Sequence, residues 1–125
     1  MEYNIEIYDK HIYVRFEKGT VFSIKLVREV LTKQRGSKEH KVLNDIWDVR
    51  GCIPDQGLNS ESIGRIVEYI KELHSPDLYH KKSALVVDSE LAYGISRIYQ
   101  TLAGELPFQI RIFEDDQQAK EWILS

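Results

Sequence analysis

Tyr3, Ile5 and Ile7 alternate with Glu2, Asn4, Glu6 and Tyr8, and Ile12, Val14 and Phe16 alternate with Tyr13, Arg15 and Glu17. A period of two predicts strands with one buried face. Asp9-Lys10 between them reads as a tight turn. The pair is therefore an antiparallel hairpin whose wet side carries Tyr8, Tyr13 and Arg15. From about Phe22 to Gln34 the pattern changes: Ile24, Val27, Val30 and Leu31 recur at helical spacing. Ser23 and Thr20 both suit the cap, and Gly36-Ser37 breaks the helix. Val42 to Val49, with Leu43, Ile46 and Trp47, reads as a strand that ends in Asp48-Val49-Arg50-Gly51.

After the Pro54 and Gly57 loop, Asn59 is a good N-cap. Leu58 before it and Ile63 at the fourth helical position form a hydrophobic staple. That helix buries Ile63, Ile66, Val67, Ile70 and Leu73, and Ser75-Pro76 ends it. Ala84 to Val87 is continuously apolar, as in a strand covered on both faces. The next helix offers Leu91, Ile95, Ile98 and Leu102 as its inward stripe, and Gly94 within it suggests a close approach to the sheet. Phe108, Ile110 and Ile112 alternate with Gln109 and Arg111, which suits a strand nearer an edge. Asp115 with Gln118 resembles a capping box for a last helix that turns Ala119, Trp122 and Ile123 inward. The order β-β-α-β-α-β-α-β-α predicts an α/β fold with right-handed crossovers and a mixed, mostly parallel five-stranded sheet.

A length of 125 residues suits one domain spanning 1–125. The net charge of -3 and the scattered bases argue against nucleic acid, and the densest basic run, Lys33 to Lys41, reads as a solvated loop. Cys52 is the only cysteine, so an intrachain disulfide is excluded, and no His or Cys set is spaced like a zinc site. No apolar run approaches the ~20 residues that span a bilayer, and the first residues alternate and carry acid, unlike a signal peptide. The expected compartment is the cytoplasm.

Trp47-Asp48-Val49-Arg50-Gly51 after a strand, Tyr93-Gly94-Ile95-Ser96-Arg97-Ile98-Tyr99-Gln100 in a helix, and Phe113-Glu114-Asp115 through Ala119 to Trp122-Ile123 resemble the SpoIIAA-like group. This group is a branch of the STAS-like proteins. The resemblance covers nearly the whole chain and is densest from Trp47 onward. It implies a four-turn βα superhelix shared with anti-sigma-factor antagonists, which act by protein contact, and with Sec14-type domains, which carry lipid. In the antagonists, phosphorylation of a Ser or Thr at a helix start ejects the partner. The matching stretch here is Leu58-Asn59-Ser60-Glu61-Ser62, so Ser60 and Ser62 are candidates by position, although Glu61 already supplies negative charge there.

Ligands of open α/β sheets sit beyond the carboxyl ends of the parallel strands. Asp48, Arg50, Ser89, Tyr93 and Arg97 gather at those ends and form the candidate ligand or interaction cluster. The competing expectation is structural: Asp48 or Asp88 pairs with Arg97 and ties helix to sheet. No nucleophile–base pair, paired carboxylates or Gly-rich phosphate loop stands out, and no cofactor or metal is expected. The residues point to a non-enzymatic module that works by contact with another protein or with a second copy in a homodimer. The contact surfaces expected are Arg50 to Gly57, the helix start after it, and the outer face of the hairpin. The alternative is a carrier or sensor of a small anionic or lipid-like ligand.

Overall fold

The computed structural model describes residues 2–35, 43–73 and 81–125. The break at Gly36-Ser37, the strand start at Val42, most of the basic run and the stop at Ser75-Pro76 lie outside the described residues, as do His74 and His80.

The hairpin forms as its alternation predicts. Strand β1 (Tyr3–Ile7) pairs antiparallel with β2 (His11–Phe16), with Ile5 opposite Val14. A two-residue strand β3 (Val21–Phe22) then leads into helix α1 (Ile24–Arg35). Its cap is Ser23, whose Oγ accepts from the Leu26 amide at 3.2 Å, while the Thr20 hydroxyl bonds the Glu2 carbonyl instead. Strand β4 (Asn44–Asp48) is followed by a second short strand, β5 (Ile53–Pro54), and helix α2 (Ser60–Leu73). Strand β6 (Lys82–Val86), helix α3 (Glu90–Leu102), strand β7 (Gln109–Phe113) and helix α4 (Asp116–Ile123) complete the chain.

The main sheet has the order β1-β2-β4-β6-β7, antiparallel only between β1 and β2. The α/β architecture and mixed five-stranded sheet are those the pattern predicts. Period-two alternation divides β2, β4, β6 and β7 between two cores, while β1 turns Tyr3 and Ile5 to one of them alone. On one face Ile12, Val14, Phe16 and Trp47 pack with α1, α2 and the end of α3. On the other, Tyr13, Ile46, Ala84 and Val86 meet Ala119 and Ile123 of α4. Tyr13 is thus 1% exposed, not on a wet face. The guanidinium of Arg15 lies 4.3 Å from its ring centre, and the Lys120 ammonium 5.6 Å.

Two features have no counterpart in the pattern. The pair β3–β5 forms a separate parallel sheet, Val21 opposite Ile53, too short for any periodicity to register. A charged pair also lies wholly inside: the Lys81 ammonium stands 3.2 Å from the Asp45 carboxylate, both side chains fully buried. Gln34 donates to the same carboxylate at 2.6 Å and accepts from the Trp47 indole at 2.9 Å, and Ser83 bonds the other carboxylate oxygen. A buried charge needs such partners.

Candidate functional site

The predicted cluster divides into three places. The first is a closed ionic knot at the end of β4. Asp48 points to the α4 side and its carboxylate accepts from Arg50 Nε at 2.9 Å, Arg50 Nη2 at 2.7 Å and the Tyr13 hydroxyl at 2.6 Å. The Arg50 amide adds a fourth bond at 3.2 Å. Burial opposes the charge on Asp48, but the bonds from Arg50 and Tyr13 outweigh it and hold the carboxyl below its usual range. Burial, and then the Asp48 bond, push the Tyr13 phenol well above its ordinary value. Arg50 is therefore committed to Asp48, with Asp116 at 3.8 Å beyond, and offers no free charge to an anion.

The second place is the start of α3. Ser89 caps it, accepting from the Ala92 amide at 3.1 Å. Ser89 and Tyr93 border an open hollow with Asp88, Glu90 and Glu114. Three carboxylates and no base make that hollow a poor anion site. The third is Arg97, exposed, whose Nη1 donates to Gln100 at 2.8 Å. It pairs with neither Asp48 nor Asp88, which corrects the structural expectation. Asp88 instead accepts from the Gly51 amide at 3.1 Å, where Gly51 holds a φ of 79°. Only glycine takes that conformation without strain.

At the start of α2, Asn59 Oδ1 accepts from the Ser62 amide at 2.9 Å, and Ser62 Oγ accepts from the Asn59 amide at 3.0 Å. The Ser62 hydroxyl also donates to the Gly57 carbonyl at 2.6 Å. Ser62 is thus a capping residue with its hydroxyl engaged, whereas Ser60 is exposed.

The phase of α3 differs from the pattern. Leu91 is 61% and Leu102 40% exposed. Ile95 faces inward as the stripe predicts, but it is joined there by Ser96 and Tyr99, and the inward side ends at the buried Ala103. Nor does Gly94 allow close approach: it is exposed, and an added Cβ would meet nothing within 4 Å.

The inward side of α3 is why an apolar cavity of about 100 Å³ exists between α1, α2, α3 and the sheet. Its walls include Phe22, Val27, Trp47, Ile66, Leu85 and Tyr99. A smaller cavity of about 40 Å³ adjoins it at Cys52 and Ala92, and the two share Phe22, Val49, Leu58, Ile95 and Ser96 as walls. Beyond Leu58 and Ile95 lies an open groove lined by Pro54, Leu91 and Ile98. Short side chains at Ala92 and Ser96, facing larger ones on α1 and α2, leave the space. That run of short residues is the only sign of it in the sequence, and the larger leucine stripe obscures it.

The polar groups on the wall are nearly all engaged. Trp47 bonds Gln34 and Ser83 bonds Asp45. Ser96 is 8% exposed, lines both cavities, and makes no side-chain hydrogen bond among the described residues. Burial first, then the charges of Asp48 and Asp88, push the Cys52 thiol up to about 11, so it is a protonated wall group and not a nucleophile at neutral pH. Among the described residues no cluster of His, Cys, Asp and Glu could hold a metal ion, and no helix is long and apolar enough to cross a membrane. No family model, curated protein or solved structure matches the chain.

Proposed function

We propose that this chain is a non-enzymatic STAS-like binding domain that takes a small apolar or amphipathic molecule into the cavity beneath α3. The observation that carries this is the cavity itself: about 100 Å³ walled by Trp47, Phe22, Ile66 and Tyr99, beside the carboxyl end of β4 and next to an open groove. Protein interiors are close-packed, so unfilled apolar space of this size has to be accounted for. Ligand sites are mostly apolar with a few polar groups that orient the guest. The resemblance to the SpoIIAA-like group is in keeping with a lipid-like guest. Of the two chemistries expected, the acidic hollow at Ser89 and Tyr93 disfavours an anion there. The test is native mass spectrometry of protein purified gently from its source. A bound small molecule that is lost in Ser96→Leu, which fills the cavity, supports the reading. Bare protein that also shows no rise in melting temperature with any apolar compound sinks it.

A protein-contact role of the STAS type is the second reading. Its support is the apolar stripe that α3 turns outward at Leu91 and Leu102, together with the exposed pair Val21 and Ile53. An apolar patch of this kind marks an interface where it is contiguous, and Ile98 lies between the two leucines along the same helix face. Under this reading Leu91→Asp lowers partner capture or self-association in light scattering and leaves the fold intact. An unchanged molecular mass and unchanged capture would remove it.

A further inference from the structure

We infer that two copies of this chain pair through the free edge of β1, antiparallel and centred on Ile5, so that one sheet runs through both. The contact is independent of the cavity and of the α3 stripe, and its failure leaves the ligand-binding reading untouched.

The edge is open and regular. Strand β1 is the outermost of the order β1-β2-β4-β6-β7, and among the described residues no strand lies on its outer side. Rungs of an antiparallel pair alternate between bonded and unbonded. The Tyr8 amide bonds the His11 carbonyl and the Glu17 amide bonds the Glu2 carbonyl, both at 2.9 Å, so the bonded rungs fall at Glu2, Asn4, Glu6 and Tyr8. The backbone groups of Tyr3, Ile5 and Ile7 therefore point outward. Natural edges are blunted by Lys, Pro or a bulge. Tyr3–Ile7 has none of these, and its register with β2 is unbroken. Its one charge, Glu6, is answered within the hairpin by Arg15 at 3.0 Å and by the Tyr8 hydroxyl at 2.7 Å.

The occupant follows from the register. Directly opposite side chains share a face, so self-pairing of this edge matches Tyr3, Ile5 and Ile7 with one another. Centring on Ile5 sets Tyr3 against the partner's Ile7, which covers a side chain that is 52% exposed. It also sets Asn4 against the partner's Glu6, and every outward backbone group of the strand finds a mate. Centring on Asn4 would set Glu2 against the partner's Glu6, and centring on Glu6 would set it against the partner's Glu6. Like charges directly opposite repel. The far edge of the sheet offers less. In β7 the Gln109 amide bonds the Lys81 carbonyl and the Phe113 carbonyl accepts from the Val87 amide, so only Ile110 and Ile112 face outward. Pairing both with a second copy puts Arg111 against the partner's Arg111.

The test is sedimentation of the full chain from about 1 µM to about 0.5 mM, the range of modest affinity, with amide hydrogen exchange at both ends of it. One short strand makes a small interface, so a dimer of micromolar affinity is expected. The amides of Tyr3, Ile5 and Ile7 gain protection as it forms, while those of Asn4 and Glu6 are protected throughout. Ile7→Pro removes an outward donor and no bond to β2. Asn4→Glu sets a carboxylate against the partner's Glu6, yet faces Arg15 within its own hairpin, so the fold holds. Each raises the dissociation constant roughly tenfold, whereas Leu91→Asp leaves it unchanged. A monomer across the whole range overturns the inference. So does a dimer that Leu91→Asp abolishes and the two β1 variants leave intact. Protection of the Tyr3, Ile5 and Ile7 amides already in the monomer also overturns it, since another segment of the chain would then hold that edge.

Discussion

Arg50 grips Asp48 through two guanidinium nitrogens, at 2.9 Å and 2.7 Å, two residues along the same strand end. The charge that looked available for a ligand is spent within the fold, and it secures the loop that leads from β4 to β5. Asp48→Asn should therefore destabilise the protein by about 1–3 kcal/mol, because Arg50 and the buried Tyr13 hydroxyl lose a charged acceptor. Arg97→Ala should stay within about 0.5 kcal/mol, as for other surface changes. Urea unfolding of both variants checks the pair, and a larger loss for Arg97→Ala would reverse this assignment.

Gly94 sits in an exposed stretch of α3 with open space where a Cβ would go. Gly94→Ala should stabilise the protein by about 0.5–1 kcal/mol through helix propensity alone. A lower melting temperature would show that the backbone there is needed for contact with something else.

Ser96→Val replaces a hydroxyl on the cavity wall and places methyl groups in the cavity. A gain of roughly 1 kcal/mol is expected from denaturation curves. A loss of that size would mean that the space is already filled.

The Cys52 thiol, held up at about 11, should react with iodoacetamide at pH 8 about two orders of magnitude more slowly than free cysteine, with a rate still rising beyond pH 9. A rate that levels off near pH 9 would place Cys52 in open water.

Burial, and then the positive charge of Lys120, depress the His11 imidazole below its ordinary value. Its Nε2 is buried without a hydrogen-bond partner, its ring is stacked on Tyr8 at 4.8 Å, and Lys120 faces it from α4. The unfolded chain then binds the proton more readily than the folded one. Stability from this group is complete above about pH 6.5 and falls as the pH drops below it. Chemical denaturation at pH 7.0 and 5.5 should show a smaller loss for His11→Gln than for the natural chain. An identical loss would assign the acid sensitivity to other groups.

The five strands of the main sheet, the four helices and the caps of α2 and α4 were legible because they rest on local signals. Alternation predicts β1 and β2, Asn59 and Asp115 cap α2 and α4, and the uninterrupted apolar run at Ala84 to Val87 predicts the inner position of β6. What stayed hidden depends on packing. Helix α3 has two usable faces, one of leucine and isoleucine and one of small residues. Hydrophobicity alone favours the first, yet the fold buries Ser96 and Ala103 and leaves Leu91 outside. The Lys81–Asp45 pair is equally silent, since charged residues at strand starts usually face water. The sequence cluster also failed as a unit: Asp48 and Arg50 share the α4 side, Ser89 and Tyr93 border the acidic hollow, and Arg97 stands apart. Strand ends that are neighbours in a sheet can still send their side chains to opposite faces.

The space beneath α3 is tested most directly by a crystal structure under xenon pressure, since xenon enters apolar cavities without needing a specific contact. An ordered xenon between Trp47, Ile66 and Ser96 is the predicted result. Continuous side-chain packing through that volume, with no xenon bound there, would contradict the cavity and the function built on it.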